Sequence, residues 1–201
     1  MNAPIDVTGI RIETDRLILR PWQETDLEDC FEYAKVPGVG EMAGWPHHKS
    51  MDDTKKVIRS FVEGREVLAL ELKESGKVIG SLGIHENDND HVGPEYLGRE
   101  VGYVLSKDYW GRGLVPEAVK AVIGYCFGVL NYDYLLCGHF VWNEQSRRVI
   151  EKCGFRYLKD ISHTTQFGTE ELTKLYIIRN PDKCCRLCLK NGSQMSCLRI
   201  S

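Results

Sequence analysis

The 201-residue chain is 42% hydrophobic with a formal net charge of −3, enough apolar material for one full core and no basic excess to draw it to nucleic acid. No apolar run approaches the roughly 18 to 20 residues that a membrane span needs, and the opening MNAPIDVTGI has neither the basic nor the apolar segment of a signal peptide. These features predict a single domain over residues 10–180 in the cytoplasm, monomer or homodimer, with no membrane and no nucleic acid among its partners.

In chain order, IRIETDRLILRPW (10–22) reads as a first strand that ends at Pro21. Thr25 and Asp26 are N-cap candidates for a helix from Leu27 to Lys35, which has Leu27, Cys30, Phe31 and Ala34 on one face. PGVGEMAGWPHHK (37–49) is too rich in Gly and Pro for regular structure, and its Met42, Trp45, His47 and His48 suit a substrate mouth. Its two histidines have no third ligand at metal-binding spacing, so no metal is expected there. Ser50 and Asp53 form a capping box for a helix from Met51 to Glu63.

From Glu66 the period shifts to that of strands. EVLALELKE and KVIGSLGIHE flank a Ser75-Gly76 turn as a hairpin, and LGREVGYVLS (97–106) is a fourth strand whose Gly102 suggests a bulge or close approach by a ligand. A helix over Pro116–Val129, with Ala118, Val122 and Cys126 at i, i+4 and i+8, leads to a fifth strand over Tyr134–Val141, which makes a βαβ crossover. Asn143–Cys153 is a helix closed by Gly154, and FRYLKDIS and ELTKLYIIR are the last strands.

Eight cysteines raise the question of disulfides. Cys30, Cys126, Cys137 and Cys153 lie in apolar periodic segments, where a free thiol packs as a small hydrophobe. Cys184, Cys185, Cys188 and Cys197 fall in an extension over 181–201 that reads as flexible and reduced. Cys185 and Cys188 form a CxxC with no second pair at matched spacing, which argues against zinc.

The most chemically informative stretch is YWGRGLVPE (109–117). Gly111 and Gly113 bracket Arg112 where strand gives way to helix, so backbone N–H groups, helix dipole and a permanent cation converge on one point. That is a cradle for an anion. It resembles the acyl-CoA loop (Q/R)xxGx(G/A) of the GNAT superfamily of N-acetyltransferases, in the RimJ/RimL-like version, with Trp110 at the Gln/Arg position and Val115 at the last Gly/Ala. TDRLILRPW, KVIGSLGI, REVGYVLSKDYWGRGLVPEA and WNEQSRRVIEKCGF resemble the same branch in the right order, over about residues 12–179.

The resemblance implies an α/β fold with a central, mostly antiparallel sheet, splayed between the fourth and fifth strands and flanked by helices. It implies acetyl-CoA as co-substrate and a primary amine as acceptor, a protein N-terminus or a small molecule. By resemblance, Val104 and Leu105 pair with the pantetheine arm, the backbone of Arg112, Gly113, Leu114 and Val115 takes the pyrophosphate, and Asn143 bonds the pantetheine amide.

Acetyl transfer also requires a base, an oxyanion donor and a proton for the thiolate. Glu100 is the candidate base, with Glu86 the weaker alternative, and the backbone N–H of Leu105 is the oxyanion donor. The family tyrosine that protonates the thiolate is replaced by Ile150, so Ser146, near enough to reach the sulfur, is the candidate on that side. A non-catalytic CoA-binding module and a protein-interaction domain are the competing readings.

Overall fold

The computed structural model describes residues 1–87 and 91–183. Cys184, Cys185, Cys188 and Cys197 lie outside them. Among the described residues the elements are β1 (Ile12–Glu13), β2 (Leu17–Pro21), α1 (Leu27–Ala34), α2 (Met51–Gly64), β3 (Val67–Leu72), β4 (Lys77–His85), β5 (Gly98–Leu105), α3 (Leu114–Gly128), β6 (Tyr134–Phe140), α4 (Glu144–Lys152), β7 (Arg156–Thr164) and β8 (Glu170–Arg179). No helix among them is long and apolar enough to cross a membrane.

The strands form one mixed sheet in the order β1-β2-β3-β4-β5-β6-β8-β7. Every pairing is antiparallel except β5 with β6, where α3 supplies the crossover that parallel neighbours require. That pairing runs only from Gly98↔Tyr134 to Glu100↔Leu136. Beyond it the two strands part, so the sheet splays between the fourth and fifth long strands.

Strand alternation sorts the core onto two faces. Leu68 and Leu70 of β3 pack with Ala118, Val122 and Cys126 of α3 and Ile150 of α4. Val67 and Ala69, the intervening residues, pack with Cys30 and Tyr33 of α1 and Ile58 of α2. Ala118, Val122 and Cys126 are each 0% exposed, so the helical spacing of the sequence does mark the buried stripe. The Ser50–Asp53 capping box is present, and Gly154 has φ +89 just past α4, a conformation that a Cβ disfavours.

Four local expectations need correction. The first strand is a small hairpin, with Ile12 paired to Leu19 around a turn that Thr14 and Leu17 close. Asp26 does not cap α1 through its side chain, because that carboxylate is taken by both terminal nitrogens of Arg20 at 2.8 Å and by the Gln23 N–H. Helix α3 starts at Leu114, earlier than Pro116; the first-turn N–H groups have no helical partner, so proline costs nothing at its third position. Gly102 is not a bulge toward β4, since the register is unbroken from Gly80↔Leu105 to His85↔Glu100. Its partner Gly83 leaves room for the His85 ring, which would have to move if a Cβ were placed there.

Candidate active site

The splay between β5 and β6 opens into a cavity of about 1140 Å³. One wall is the exposed edge of β5, whose hydrogen-bonding direction is set by the β4 ladder. The Ser106 N–H bonds the Ile79 carbonyl at 2.8 Å, and in an antiparallel ladder such pairs alternate. Val104 therefore turns its main chain to β4, and a Cβ on Gly80 would meet the Val104 carbonyl oxygen at 2.3 Å. Val101, Tyr103 and Leu105 turn theirs to the cleft. Of the two residues assigned to the cleft edge, Leu105 faces it and Val104 does not, with Tyr103 taking that place. The Leu105 carbonyl accepts from the Trp110 indole at 2.8 Å, which leaves its N–H as the group directed into the V.

A 3-10 turn over Lys107–Tyr109 carries the chain from β5 to the glycine turn. Gly111 and Gly113 have φ +75 and +76, and Gly113 is the N-cap of α3, so the first N–H groups of that helix open onto the end of the cleft. Leu114 and Val115 bury their side chains in the core and leave only main chain at the mouth. The Arg112 guanidinium stacks 5.1 Å from the Tyr109 ring centre.

Arg16, from the β1–β2 turn, reaches the same place. It donates to the Arg112 carbonyl at 2.9 Å and pairs with Glu117 at 2.6 Å. Burial opposes charge on Glu117, but bonds from the Thr14 hydroxyl and from Arg16 outweigh it and hold the carboxyl below its ordinary range. Nothing in local sequence joins Arg16 to a loop near residue 112. The contact exists because β2 lies under the start of α3.

Glu100 stands on the last rung before the strands part, opposite His85 on β4 and Leu136 on β6. A Cβ on Gly138 would lie 3.6 Å from Glu100 Oε1, which places the carboxylate at the apex of the V and against β6. Glu86 is unsuited to the role. Its side chain is 71% exposed, paired at 3.6 Å with Arg99, and outside the cavity lining.

Asn143 and Ser146 lie at the start of α4, over the other face. Asn143 is buried; its Oδ1 accepts the Ser146 N–H at 3.1 Å and its Nδ2 donates to the Met42 carbonyl at 3.1 Å. The first bond caps the helix and the second holds the 37–49 loop against it. The loop also takes the Gln166 N–H on its Gly44 carbonyl at 2.8 Å. It thus bridges the cleft from α1 to the β7–β8 turn, and Met42, Trp45, His47 and His48 line the cavity as the sequence suggests. His47 is held by Glu41 at 2.8 Å, and burial lowers the pKa of His48.

Ser146 Oγ lies 2.9 Å from the Tyr103 hydroxyl. Ile150, at the place of the family tyrosine, is buried in the core and offers the cleft nothing. Tyr103, which sequence reasoning passed over, brings a hydroxyl to Ser146 from the strand. Burial, then the neighbouring Cys137 thiol, push its phenol well above the ordinary value, so it stays protonated. The alternation Val101, Tyr103, Leu105 was the available signal, because it puts Tyr103 on the α4 face.

Residues 16–156 match the acetyltransferase (GNAT) domain family. The chain is similar to a Bacillus subtilis (strain 168) protein named uncharacterized N-acetyltransferase YoaA, 27% identical over 176 residues, 85% of this chain and 97% of that one. Two solved structures share the fold. The microcin C7 self immunity acetyltransferase MccE, in complex with acetyl-CoA and AMP, superposes with TM-score 0.68 at 17% identity over 83% of this chain and 93% of that one. The ribosomal-protein-S5-alanine acetyltransferase from Vibrio fischeri gives 0.65 at 18% identity, over 87% and 98%. A splayed sheet, a glycine turn opening α3 and a family match over most of the length converge: the chain belongs to the acetyltransferase (GNAT) domain family.

Proposed function

We propose that the chain is an acetyl-CoA-dependent N-acetyltransferase of the RimJ/RimL-like kind, moving the acetyl group directly to a primary amine in a ternary complex. One observation carries the reading: the β5 edge and the glycine-bracketed start of α3 line the same cavity, so a strand-like arm and a terminal pyrophosphate would each meet complementary groups there. The chemistry fits as well. A Cβ on Gly111 would meet nothing within 4 Å, so there is room for phosphate oxygens beside the N–H groups.

In this reading the main chain of Tyr103 pairs with pantetheine, the Leu105 N–H is kept for the reacting carbonyl, and the main chain of Arg112, Gly113, Leu114 and Val115 holds the pyrophosphate. Asn143 has one amide hydrogen and one lone pair beyond its two structural bonds, enough to meet a pantetheine amide. Glu100 drains a proton from the ammonium, directly or through water, because an amine with pKa near 10 is almost wholly protonated at neutral pH. The neutral nitrogen attacks the thioester carbonyl, the Leu105 N–H steadies the oxyanion, and Ser146 faces the departing sulfur.

The acceptor is a protein N-terminus or a small amine. The four buried free cysteines, Cys30, Cys126, Cys137 and Cys153, suit a reducing compartment such as the cytoplasm. The test is CoA release from acetyl-CoA against a panel of peptide N-termini, polyamines, amino acids and aminoglycosides, with acetyl-CoA affinity measured by calorimetry. Amine-dependent release supports the reading; tight binding with no release against any amine would favour a non-catalytic CoA-binding module, and no binding would overturn both.

A further inference from the structure

The Tyr103–Ser146 contact has a geometry that a simple structural hydrogen bond does not require. The Tyr103 hydroxyl is within reach of two acceptors on one residue, Ser146 Oγ at 2.9 Å and the Ser146 carbonyl at 3.3 Å. A phenol has one hydrogen and a serine has one. The Cys137 thiol also lies within hydrogen-bond reach of the phenol, and toward Ser146 two arrangements are open. In the first, the phenol donates to the carbonyl and Ser146 donates to the phenol oxygen. In the second, the phenol donates to Ser146 Oγ, and the serine hydrogen is released to point elsewhere. Both residues line the cavity, so the released hydrogen has the cleft to point into.

We propose that Tyr103 is a positioning residue which, by swinging its hydroxyl hydrogen from the Ser146 carbonyl to Ser146 Oγ, frees the Ser146 hydroxyl to donate to the sulfur of CoA. The inference rests on the acetyl-CoA reading given above and deepens it on the sulfur side. Its driving force is the directed donor that Tyr103 offers the serine oxygen once the serine hydrogen turns to sulfur. Without Tyr103, a serine hydroxyl turned toward sulfur would have no protein donor on its own oxygen. With Tyr103, the phenol hydrogen moves to that oxygen as the serine hydrogen turns to sulfur. The phenol remains neutral throughout, in keeping with a burial that pushes its proton loss far above neutral pH.

The bond changes balance without a charged tyrosine or serine. The C–N bond forms and the C–S bond breaks, with its electron pair left on sulfur. The Ser146 O–H and the Tyr103 O–H stay intact and donate in series to that thiolate. The acceptor nitrogen gives up two protons, one to Glu100 before attack and one after the C–N bond has formed; one of the two reaches sulfur, carried by water through the open cleft, and the other goes to solvent.

The test reads the thiol of bound CoA itself and needs no acceptor. Thiolate absorbance is followed against pH for CoA bound to the native chain, Tyr103→Phe, Ser146→Ala and the double variant. If Ser146 donates to the thiolate and Tyr103 supports it, Ser146→Ala raises the bound thiol's pKa by about one to two pH units, the loss of one hydrogen bond to a charged group. Tyr103→Phe raises it by about one, and the double variant matches Ser146→Ala alone, because Tyr103 acts only through the serine. If Tyr103→Phe does not fold, 3,5-difluorotyrosine at position 103 keeps the shape and strengthens the donor, and is expected to lower the thiol pKa below that of the native chain.

A Tyr103→Phe or difluorotyrosine chain that binds CoA with an unchanged thiol pKa overturns the inference and leaves the acetyltransferase reading standing. Additive effects in the double variant overturn it too, since they would mean that Tyr103 acts on sulfur independently. A native chain that binds no CoA overturns both.

Discussion

Arg16 Nη2 lies 2.6 Å from Glu117 Oε2, and this pair, 101 positions apart in sequence, fastens the β1–β2 turn to the first turn of α3. The same guanidinium holds the Arg112 carbonyl, so the glycine turn is braced from outside the loop. Glu117→Gln is expected to cost about 1 kcal/mol at neutral pH, at the modest end because Arg16 is half exposed. Its carboxyl titrates lower in the folded chain than the ordinary 4.5, so its contribution is present above that value and is lost as pH falls through the lower folded one. Chemical denaturation of the two chains between pH 7 and pH 3 checks this. A gap that stayed constant across that range would rule out the ion pair as its source.

Gly113 combines φ +76 with a place at the head of α3. Asparagine tolerates such a backbone better than most residues, and aspartate differs from it by a charge facing the expected phosphates. Gly113→Asn should weaken acetyl-CoA binding severalfold, and Gly113→Asp should abolish it. Calorimetry on both folded variants is the measurement, and equal affinities would argue that no phosphate lies there.

For Glu100, the expected signature lies in the pH–rate profile. Glu100→Gln should lower turnover by about 10²- to 10⁴-fold, the usual contribution of a positioned base, and remove the acid limb, with acetyl-CoA affinity nearly intact. Retention of the native acid limb in the variant would assign that titration to another group.

Asn143 carries two structural bonds that substitution can separate. Asn143→Ala loses the α4 cap and the Met42 tether and should cost about 1 to 2 kcal/mol. Asn143→Asp keeps the cap but sets a carboxylate oxygen against the Met42 carbonyl in a buried place, so it should recover only part of the stability and loosen the 37–49 loop. Thermal melts report the first effect, and amide exchange at Met42–Trp45 reports the second.

Much of this architecture is legible in the residues themselves. The stripe of Ala118, Val122 and Cys126, the Ser50–Asp53 box, the Ser75-Gly76 turn and Gly154 are local signals, each tied to a period or a backbone angle. What stays hidden depends on which elements meet. Asp26 has the composition of a cap, but Arg20 from the neighbouring strand claims it first. Gly102 looks like a bulge, yet the splay comes from β6 departing after Leu136, with the β5 ladder to β4 intact. Tyr103 reads as an ordinary strand aromatic until α4 brings Ser146 over it. Glu100 lies where β6 leaves β5 for a reason the sequence did not show, since the pairing with Leu136 is the last rung, not a bulge at Gly102.

The β5 edge has a consequence for how this protein tolerates change. The surface that Tyr103 and Leu105 offer the cleft is made of amides, and every residue type except proline supplies the same amide. Stripping side chains from this strand one at a time would disturb its packing and yet leave those donors and acceptors in place. Only proline, or an ester in place of the peptide link, removes them. On the acetyl-CoA reading, the edge that would hold the pantetheine arm is thus one that leaves a faint trace in the identity of the amino acids.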